Sequence, residues 1–115
     1  MTLEGVIKCL PTLKKLMKAR TSTNRRKILR SCRGGYIYYA ISEISKNVLN
    51  GGVPLTEKQR KLLKRYKAQL REIKKKTITL KRRKQIINQK GGLLSSLLVP
   101  TVSFLAQILA DRVMK

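Results

Sequence analysis

The sequence predicts an all-α protein made of several short basic amphipathic helices and a hydrophobic C-terminal helix that contains a proline. Three observations favour this fold class. Apolar residues recur at helical spacing along most of the chain. A capping box marks one helix start at Thr56 and Gln59, and Gly-Gly pairs at 34–35, 51–52 and 91–92 separate the segments. With 115 residues, one Phe and four Tyr, any core must be aliphatic and small, or must depend on a ligand.

The first third of the chain predicts two basic helices. Apolar residues keep one helical stripe over about 3–19, where Pro11 is placed to end one turn and to start another. A polar break at 21–24 supplies N-cap residues for a second helix over about 24–33. Gly34-Gly35 is expected to end this helix.

A neutral helix is predicted next, over 36–49. Its apolar residues are spaced i, i+4, i+7 and i+11, which places them on one helical face. They are Ile37, Ile41, Ile44 and Val48. The Tyr-Ile-Tyr-Tyr start has strand propensity, but a strand leaves this spacing unexplained, so we favour the helix. Asn50-Gly51-Gly52 ends it with residues suited to positive φ.

Residues 53–92 predict a basic helical hairpin. The capping box starts a helix over about 57–75, and Thr79 can cap a second helix over about 80–89. The cations along these helices are mostly unpaired, so their repulsion destabilises each helix in isolation, and a polyanion would relieve that repulsion.

The C-terminal segment differs from the rest in composition. Residues Leu93 to Ala110 carry no charge, and twelve of these eighteen residues are apolar. A helix over about 93–113 is predicted, in which the uncharged part is about 27 Å long, just short of the roughly 30 Å hydrocarbon core of a bilayer. Pro100 is expected to kink this helix or split it. Three interpretations stay open: a helix lying at a membrane interface, a membrane span, or a helix packed on the protein or on a partner. The side chains that would contact a membrane are Leu94, Leu97, Leu98, Phe104, Leu105 and Ile108.

Charge is the strongest feature of the composition. The chain has 28 Lys plus Arg against 5 Asp plus Glu, a formal net charge of +23, and no His. These residues supply almost nothing for an acid–base pair or a metal site, so we expect no enzyme, no cofactor and no bound metal. Cys9 and Cys32 lie far apart without a CxxC motif, and we expect two reduced, half-buried thiols. The alternative is a disulfide between them, which would form if the protein were exported.

This charge is unevenly distributed along the chain. The predicted segments are 1–35 with +9, 36–52 with zero, 53–92 with +13 and 93–115 with +1. Two basic segments in so short a chain indicate a polyanionic partner, and we predict non-specific binding of double-stranded DNA by counterion release. The candidate DNA-binding cations are Lys14, Lys15, Lys18, Arg25, Arg26, Lys27, Arg30, Lys58, Arg60, Lys61, Lys64, Arg65, Lys67, Arg71, Lys74, Lys75, Lys76, Lys81, Arg82, Arg83 and Lys84.

A sequence-specific alternative also stays open. If the helix over 80–89 were the recognition helix of a helix-turn-helix, Arg82 or Arg83 could reach a DNA groove. The basic clusters at 25–27 and 81–84 also fit nuclear localisation signals.

Two of the Gly-Gly pairs lie in sequences that resemble cleavage sites of adenovirus-type maturation proteases. These are Leu49-Asn50-Gly51-Gly52 before Val53 and Gln89-Lys90-Gly91-Gly92 before Leu93. The resemblance implies cleavage between Gly52 and Val53 and between Gly92 and Leu93. The alternative interpretation is that each pair only caps a helix.

The layout of a basic block, a Gly-Gly site and a Leu-rich tail is similar to the precursor of the adenovirus core protein mu. The stretch over 37–98, above all residues 47–59, also resembles small basic proteins of Maverick/Polinton elements and related adenovirus-like viruses. The resemblance implies a virion component that condenses packaged double-stranded DNA and is matured by a viral protease. We expect the protein in the virion and, during assembly, in the host nucleus, with capsid proteins as further partners. The alternative is a minor capsid protein that acts through the hydrophobic C-terminal helix, either on membranes or as capsid cement.

Overall fold

Eight α-helices and no strand make up residues 3–32, 35–89 and 91–114, which are the parts of the chain that the computed structural model describes. The all-α class predicted from the sequence is confirmed. In chain order the helices are α1 (Leu3–Lys8), α2 (Leu10–Lys18), α3 (Ser22–Ser31), α4 (Tyr36–Leu49), α5 (Glu57–Lys64), α6 (Lys67–Ile73), α7 (Leu80–Gln89) and α8 (Gly91–Met114). Arg33, Gly34 and Lys90, which belong to predicted helix ends and Gly-Gly motifs, lie outside the described residues.

Two helices, α4 and α8, form the centre of the molecule. α4 packs against α1, α6, α7 and α8, whereas α8 packs against α2, α4, α5 and α7. Their inward side chains are almost completely buried, among them Ile37, Ile41, Ile44, Leu93, Leu97 and Leu98. The radius of gyration is 13.4 Å, close to the value of about 13 Å expected for a folded chain of roughly this length.

The α4 helix follows the sequence prediction closely. All four apolar residues of its predicted face are buried, and its bounds equal the predicted ones. Gly51 has a φ of +77°. The Gly51 N–H donates to the carbonyl of Val48 and the Gly52 N–H donates to the carbonyl of Asn47, over 3.2 and 2.8 Å. These two bonds form a Schellman motif, so the predicted positive-φ end of this helix is confirmed.

The N-terminal part forms three helices where the sequence predicted two. The predicted helix over 3–19 divides into α1 and α2 at Cys9, because Pro11 occupies the first turn of α2 and has no N–H to continue the bonding of α1. The helix predicted over 24–33 begins earlier, at Ser22. Its N-cap is Thr21, whose hydroxyl accepts from the Asn24 N–H over 3.1 Å.

The capping box at the start of α5 is confirmed. The Gln59 N–H donates to the Thr56 hydroxyl over 3.2 Å, and the Thr56 N–H donates to the Gln59 side-chain oxygen over 2.9 Å. Both bonds satisfy donors that the first turn of a helix otherwise leaves unpaired.

The prediction of one continuous helix over 57–75 was wrong, because α5 ends at Lys64 and α6 begins at Lys67. α5 packs on α8 while α6 packs on α4, so the chain changes direction between two different partners. The leucines of these two helices differ in burial. Leu62 is 37% exposed, whereas Leu63 and Leu70 are buried.

The last helix runs without interruption from Gly91 to Met114. Of the two predicted effects of Pro100, a kink or a split, the split does not occur, and the predicted single C-terminal helix with an internal proline is confirmed. Pro100 removes one backbone donor, but nearby hydroxyls add donors on this stretch: Thr101 donates to the carbonyl of Leu97 over 2.8 Å and Ser103 donates to the carbonyl of Val99 over 2.9 Å.

Candidate nucleic-acid interface

The predicted DNA-binding cations are distributed over α2, α3, α5, α6, α7 and the turns between them. Of these twenty-one residues, nineteen are exposed, Arg25 is half-buried and Arg83 is buried. Two ion pairs form between described side chains, Arg82 with Glu72 over 2.8 Å and Arg112 with Glu4 over 2.9 Å. The exposed cations therefore far outnumber their internal acidic partners.

The two basic segments of the sequence meet at a cleft between α3 and α7, which we call the α3–α7 cleft. Arg26 and Arg30 line it from α3, and Lys81 and Lys84 line it from α7. Its volume is about 440 Å³. Three uncharged side chains complete the described lining, namely Tyr38, Gln85 and Asn88. No carboxylate belongs to this described lining.

A second cavity of about 540 Å³ adjoins this cleft. It reaches toward Leu29, Cys32 and Leu80, and it shares four lining residues with the cleft: Arg30, Tyr38, Lys84 and Asn88. The two cavities therefore form one groove along the contact between α3 and α7.

The local sequence explains how α7 presents its cations. Thr79 caps the helix, because its hydroxyl accepts from the Arg82 N–H over 3.1 Å. Ile86 and Ile87 turn into the core. The cleft residues of α7 are spaced i, i+3, i+4 and i+7, so they share one helical face. They are Lys81, Lys84, Gln85 and Asn88.

The inner wall of the cleft is polar but partly unsatisfied. Tyr38 is buried, and burial raises the pKa of its phenol, while the Asn88 side-chain amide, acting as donor to the phenol oxygen, has a smaller opposing effect. The Lys84 ammonium lies 5.4 Å from the centre of the Tyr38 ring, within cation–π distance. The side-chain oxygen of Asn88 is buried and has no hydrogen-bond partner among the described residues. Such an atom is available to a ligand donor or to water.

Arg83 does not belong to the interface that the sequence predicted for it. It is 4% exposed, and its guanidinium donates to the carbonyls of Ile73 and Lys75 over 3.3 and 2.8 Å. Its guanidinium also lies 5.0 Å from the centre of the Tyr39 ring. Arg83 therefore joins α4, α6 and α7, and we correct its assignment from DNA contact to structural support.

Arg82, the other candidate base reader, is exposed but paired. Its guanidinium donates two hydrogen bonds to the Glu72 carboxylate, over 2.8 and 3.4 Å. This hydrogen bond holds the pKa of Glu72 below its ordinary value and raises the pKa of Arg82. Both arginines on which a helix-turn-helix interpretation depends thus have partners inside the protein.

The two candidate protease sites lie in folded structure. Gly51 and Gly52 form the Schellman end of α4, and Val53 is buried. Gly92 lies in the first turn of α8, where a Cβ would collide with the Tyr66 hydroxyl, and Leu93 is fully buried. Helix-end geometry accounts for Gly51 and Gly52, and close packing accounts for Gly92, so cleavage at either site requires local opening.

The predicted membrane side chains of α8 face the protein interior. Leu94, Leu97, Leu98 and Leu105 are buried, and Phe104 and Ile108 are half-buried. Residues Gly92–Arg112 are long and apolar enough to cross a bilayer, with a mean hydropathy of 1.9. A core helix of a folded protein can have the same length and composition, and 44% of the apolar window of this segment is buried in the protein.

The two thiols lie near each other, and Cys32 lines the second cavity beside the cleft. Cys9 and Cys32 are free and half-buried, as predicted. Burial raises the pKa of Cys9, and the nearby Cys32 adds to the effect. A raised thiol pKa reduces the thiolate fraction and therefore the reactivity.

The uncharged residues of the cleft are not among the site residues predicted from the sequence. Gln85 and Asn88 lie on the same polar face of α7 as Lys81 and Lys84, and their spacing in the sequence predicts this shared face. The approach of α3 to this face was not readable, since nothing local to either segment specifies the pairing.

The fold and the site define a class, namely a small all-α protein with a strongly cationic surface and a cleft between two basic helices. The described lining of this cleft contains no carboxylate. No family model, curated protein or solved structure matches the chain.

Proposed function

We propose that the protein binds double-stranded DNA without sequence preference and condenses it by neutralising phosphate charge, as a non-enzymatic component of a virion. One observation carries the proposal, namely the convergence of both basic segments at the α3–α7 cleft. These segments are distant in the sequence and are separated by the neutral helix α4. The approach of two distant basic segments at one cleft supports an anion-binding site more strongly than a run of charges in one helix does.

The cleft suits the phosphate backbone of one DNA strand. Arg26 and Arg30 offer planar guanidinium groups that bind phosphate oxygens in a bidentate manner, and Lys81 and Lys84 add compact charges from the opposite wall. Binding releases the counterions condensed on DNA, which is the main driving force for sequence-independent association. A net charge of +23 allows one copy to offset roughly 23 phosphates, or about 12 base pairs.

Condensation requires that one copy contact more than one DNA segment. The exposed cations lie on helices that pack against different parts of the core: α2 and α5 pack on α8, whereas α6 packs on α4. The positive charge is therefore not confined to the cleft, and the remaining surface is available to a second duplex.

The virion context is proposed from the sequence resemblance, together with capsid proteins and a maturation protease as partners and the host nucleus as the site of assembly. Cleavage between Gly52 and Val53 or between Gly92 and Leu93 would act on a locally opened chain, because Val53 and Leu93 are buried. Action on membranes would require α8 to leave the core, which the burial of Leu97 and Leu98 opposes.

Salt dependence tests the proposed binding. We expect the affinity for duplex DNA to fall steeply with salt concentration and to vary little between unrelated sequences. Fluorescence anisotropy with labelled duplexes over a salt series measures both quantities. A log–log salt slope near zero, or a strong preference for one sequence, would contradict the proposal.

A pair of charge-matched variants tests the cleft itself. The cleft variant changes four residues to Gln: Arg26, Arg30, Lys81 and Lys84. The control variant changes two Lys and two Arg that are exposed outside the cleft: Lys58, Arg60, Lys61 and Arg65. Each should reduce the salt slope by up to about 3.6, since each removes four cations. We expect the cleft variant to lose at least about tenfold more affinity at fixed salt, and equal losses would show that the cleft has no special role.

A further inference from the structure

Two tyrosines at the start of α4 are exposed in a helix that is otherwise part of the core. Tyr36 is 52% exposed and Tyr39 is 43% exposed, while their neighbours Ile37, Tyr38 and Ala40 are buried. Tyr36 and Tyr39 are spaced i, i+3, so their side chains are neighbours on one helical surface. These two rings therefore contribute little to the hydrophobic core.

The surroundings of Tyr39 are built from three parts of the chain. The Arg83 guanidinium lies 5.0 Å from the centre of the Tyr39 ring and is itself held by two backbone carbonyls. Tyr39 and Arg83 line a cavity of about 190 Å³, with lysines from α4 and from the α6–α7 turn beside them. These lysines are Lys46, Lys74 and Lys76.

We propose that Tyr36 and Tyr39 form a stacking surface for unpaired nucleobases, so that the protein also binds single-stranded DNA. This inference rests on the proposed DNA-binding function and adds a second binding mode, outside the α3–α7 cleft. An aromatic ring next to a positively charged groove is the usual arrangement for single strands, because the bases stack on the ring while the cations hold the backbone.

The choice of a single strand follows from which faces of a base are accessible. Bases in an intact duplex are stacked on one another, so an exposed ring gains nothing from their faces. Unpaired bases offer those faces, and Arg83 fixes the Tyr39 ring from within the protein before any base arrives. Glu43 also lines the cavity, but three lysines outnumber this carboxylate, so the local charge still favours phosphate.

The test compares single-stranded and duplex DNA on the full chain. The stacking variant is Tyr36→Ala combined with Tyr39→Ala, and the matched control is Tyr36→Phe combined with Tyr39→Phe, which keeps both rings and removes both hydroxyls. We expect the Ala pair to lose about tenfold or more in single-strand affinity, to keep duplex affinity, and the Phe pair to resemble the wild type. Measurement at high salt reduces the electrostatic background and isolates stacking.

Tyrosine fluorescence gives a second readout, since the chain has no Trp. Single-stranded DNA should quench this fluorescence more than duplex DNA does, and the Phe pair should lose the difference while keeping its affinity. Tyr36→Ala alone provides a variant that leaves the contact between Tyr39 and Arg83 intact, and it should also weaken single-strand binding.

Three results would overturn the inference. An equal loss of single-strand and duplex affinity in the Ala pair would indicate a folding defect or a general charge surface. Equal losses in the Ala and Phe pairs would assign the effect to hydroxyl–phosphate contacts. If the Ala pair binds single strands as tightly as the wild type, there is no stacking surface, yet the salt-dependent duplex binding of the proposed function would stand.

Discussion

α7 and α8 are neighbours in the sequence and contact each other, but they occupy opposite positions in the molecule. α7 buries Ile86 and Ile87 in the core, packs Leu80 against it, and turns Lys81 and Lys84 to the α3–α7 cleft. α8 buries most of its first two turns and has no charged residue before Asp111. One helix supplies the charged surface and the other supplies the apolar surface on which it rests.

The contrast between α7 and α8 shows that the charged surface depends on the apolar core. α5, α6 and α7 have 8, 7 and 10 residues, which is shorter than the roughly 12–15 residues at which isolated helices become even marginally stable in water. Repulsion between their cations weakens them further. They are held in place by packing on α4 and α8, so the arrangement of the cationic surface depends on the uncharged helix.

The largest expected effect comes from shortening a buried side chain of α8. Leu97 is fully buried, whereas Val99, two residues later, is 44% exposed. Leu97→Ala should destabilise the protein by about 2–5 kcal/mol through lost burial and a cavity. Val99→Ala, the matched control, should change stability by no more than about 0.5 kcal/mol. Urea denaturation followed by circular dichroism measures both free energies of unfolding.

The result distinguishes a core helix from an independent tail. If α8 were a separate membrane-directed segment, Leu97→Ala and Val99→Ala would leave the unfolding midpoint equally unchanged. If α8 is a core helix, Leu97→Ala should also lower DNA affinity at urea concentrations near the unfolding midpoint of this variant. The reason is that the helices that form the cleft come apart when the core unfolds.

The sequence predicted this fold well wherever a pattern was local. The isoleucine spacing of α4 and the capping box at Thr56 each depend on residues within one or two helical turns, and both are confirmed. The exposure of most candidate cations also follows from composition, since an unpaired charge is costly to bury.

The rest of the fold depended on contacts between distant residues. The break between α5 and α6 arises because the two helices pack on different partners, and the continuity of α8 through Pro100 is compatible with burial and added hydroxyl bonds. Nothing in the local sequence distinguishes Arg83 from its exposed neighbours, because its partners are the carbonyls of Ile73 and Lys75, which precede α7 in the chain. The α3–α7 cleft, for the same reason, was not predictable from either helix.

Substitution of the adjacent residues Arg82 and Arg83 of α7 should affect stability less than Leu97→Ala does. Arg83→Lys keeps the charge but loses the planar fork that donates to two carbonyls, so it should destabilise the protein by about 1–3 kcal/mol. Arg82→Lys, the exposed control, should change stability much less than Arg83→Lys does. Thermal unfolding measures the difference. Neither variant should alter the salt slope of DNA binding, and equal stabilities would argue against a structural role for Arg83.

The smallest expected effect concerns the exposed pair of Glu72 and Arg82. The Arg82 hydrogen bond lowers the pKa of Glu72 in the folded chain relative to the unfolded chain. The pair therefore stabilises the fold above the ordinary carboxyl range, and this stabilisation is lost as pH falls through the lowered folded value. Glu72→Gln and Arg82→Gln should both flatten this acid-side step, which is small because both side chains are solvent-exposed.

The same two variants should have opposite effects on DNA. Glu72→Gln adds one net positive charge and frees the Arg82 guanidinium, so it should tighten binding and steepen the salt slope by about 0.9. Arg82→Gln removes one cation and should do the reverse. Unfolding curves at neutral and acidic pH, combined with salt-dependent anisotropy, measure both properties on the same samples. A shared loss of DNA affinity would mean that the pair positions α7 and that Glu72 does not merely compete with phosphate for Arg82.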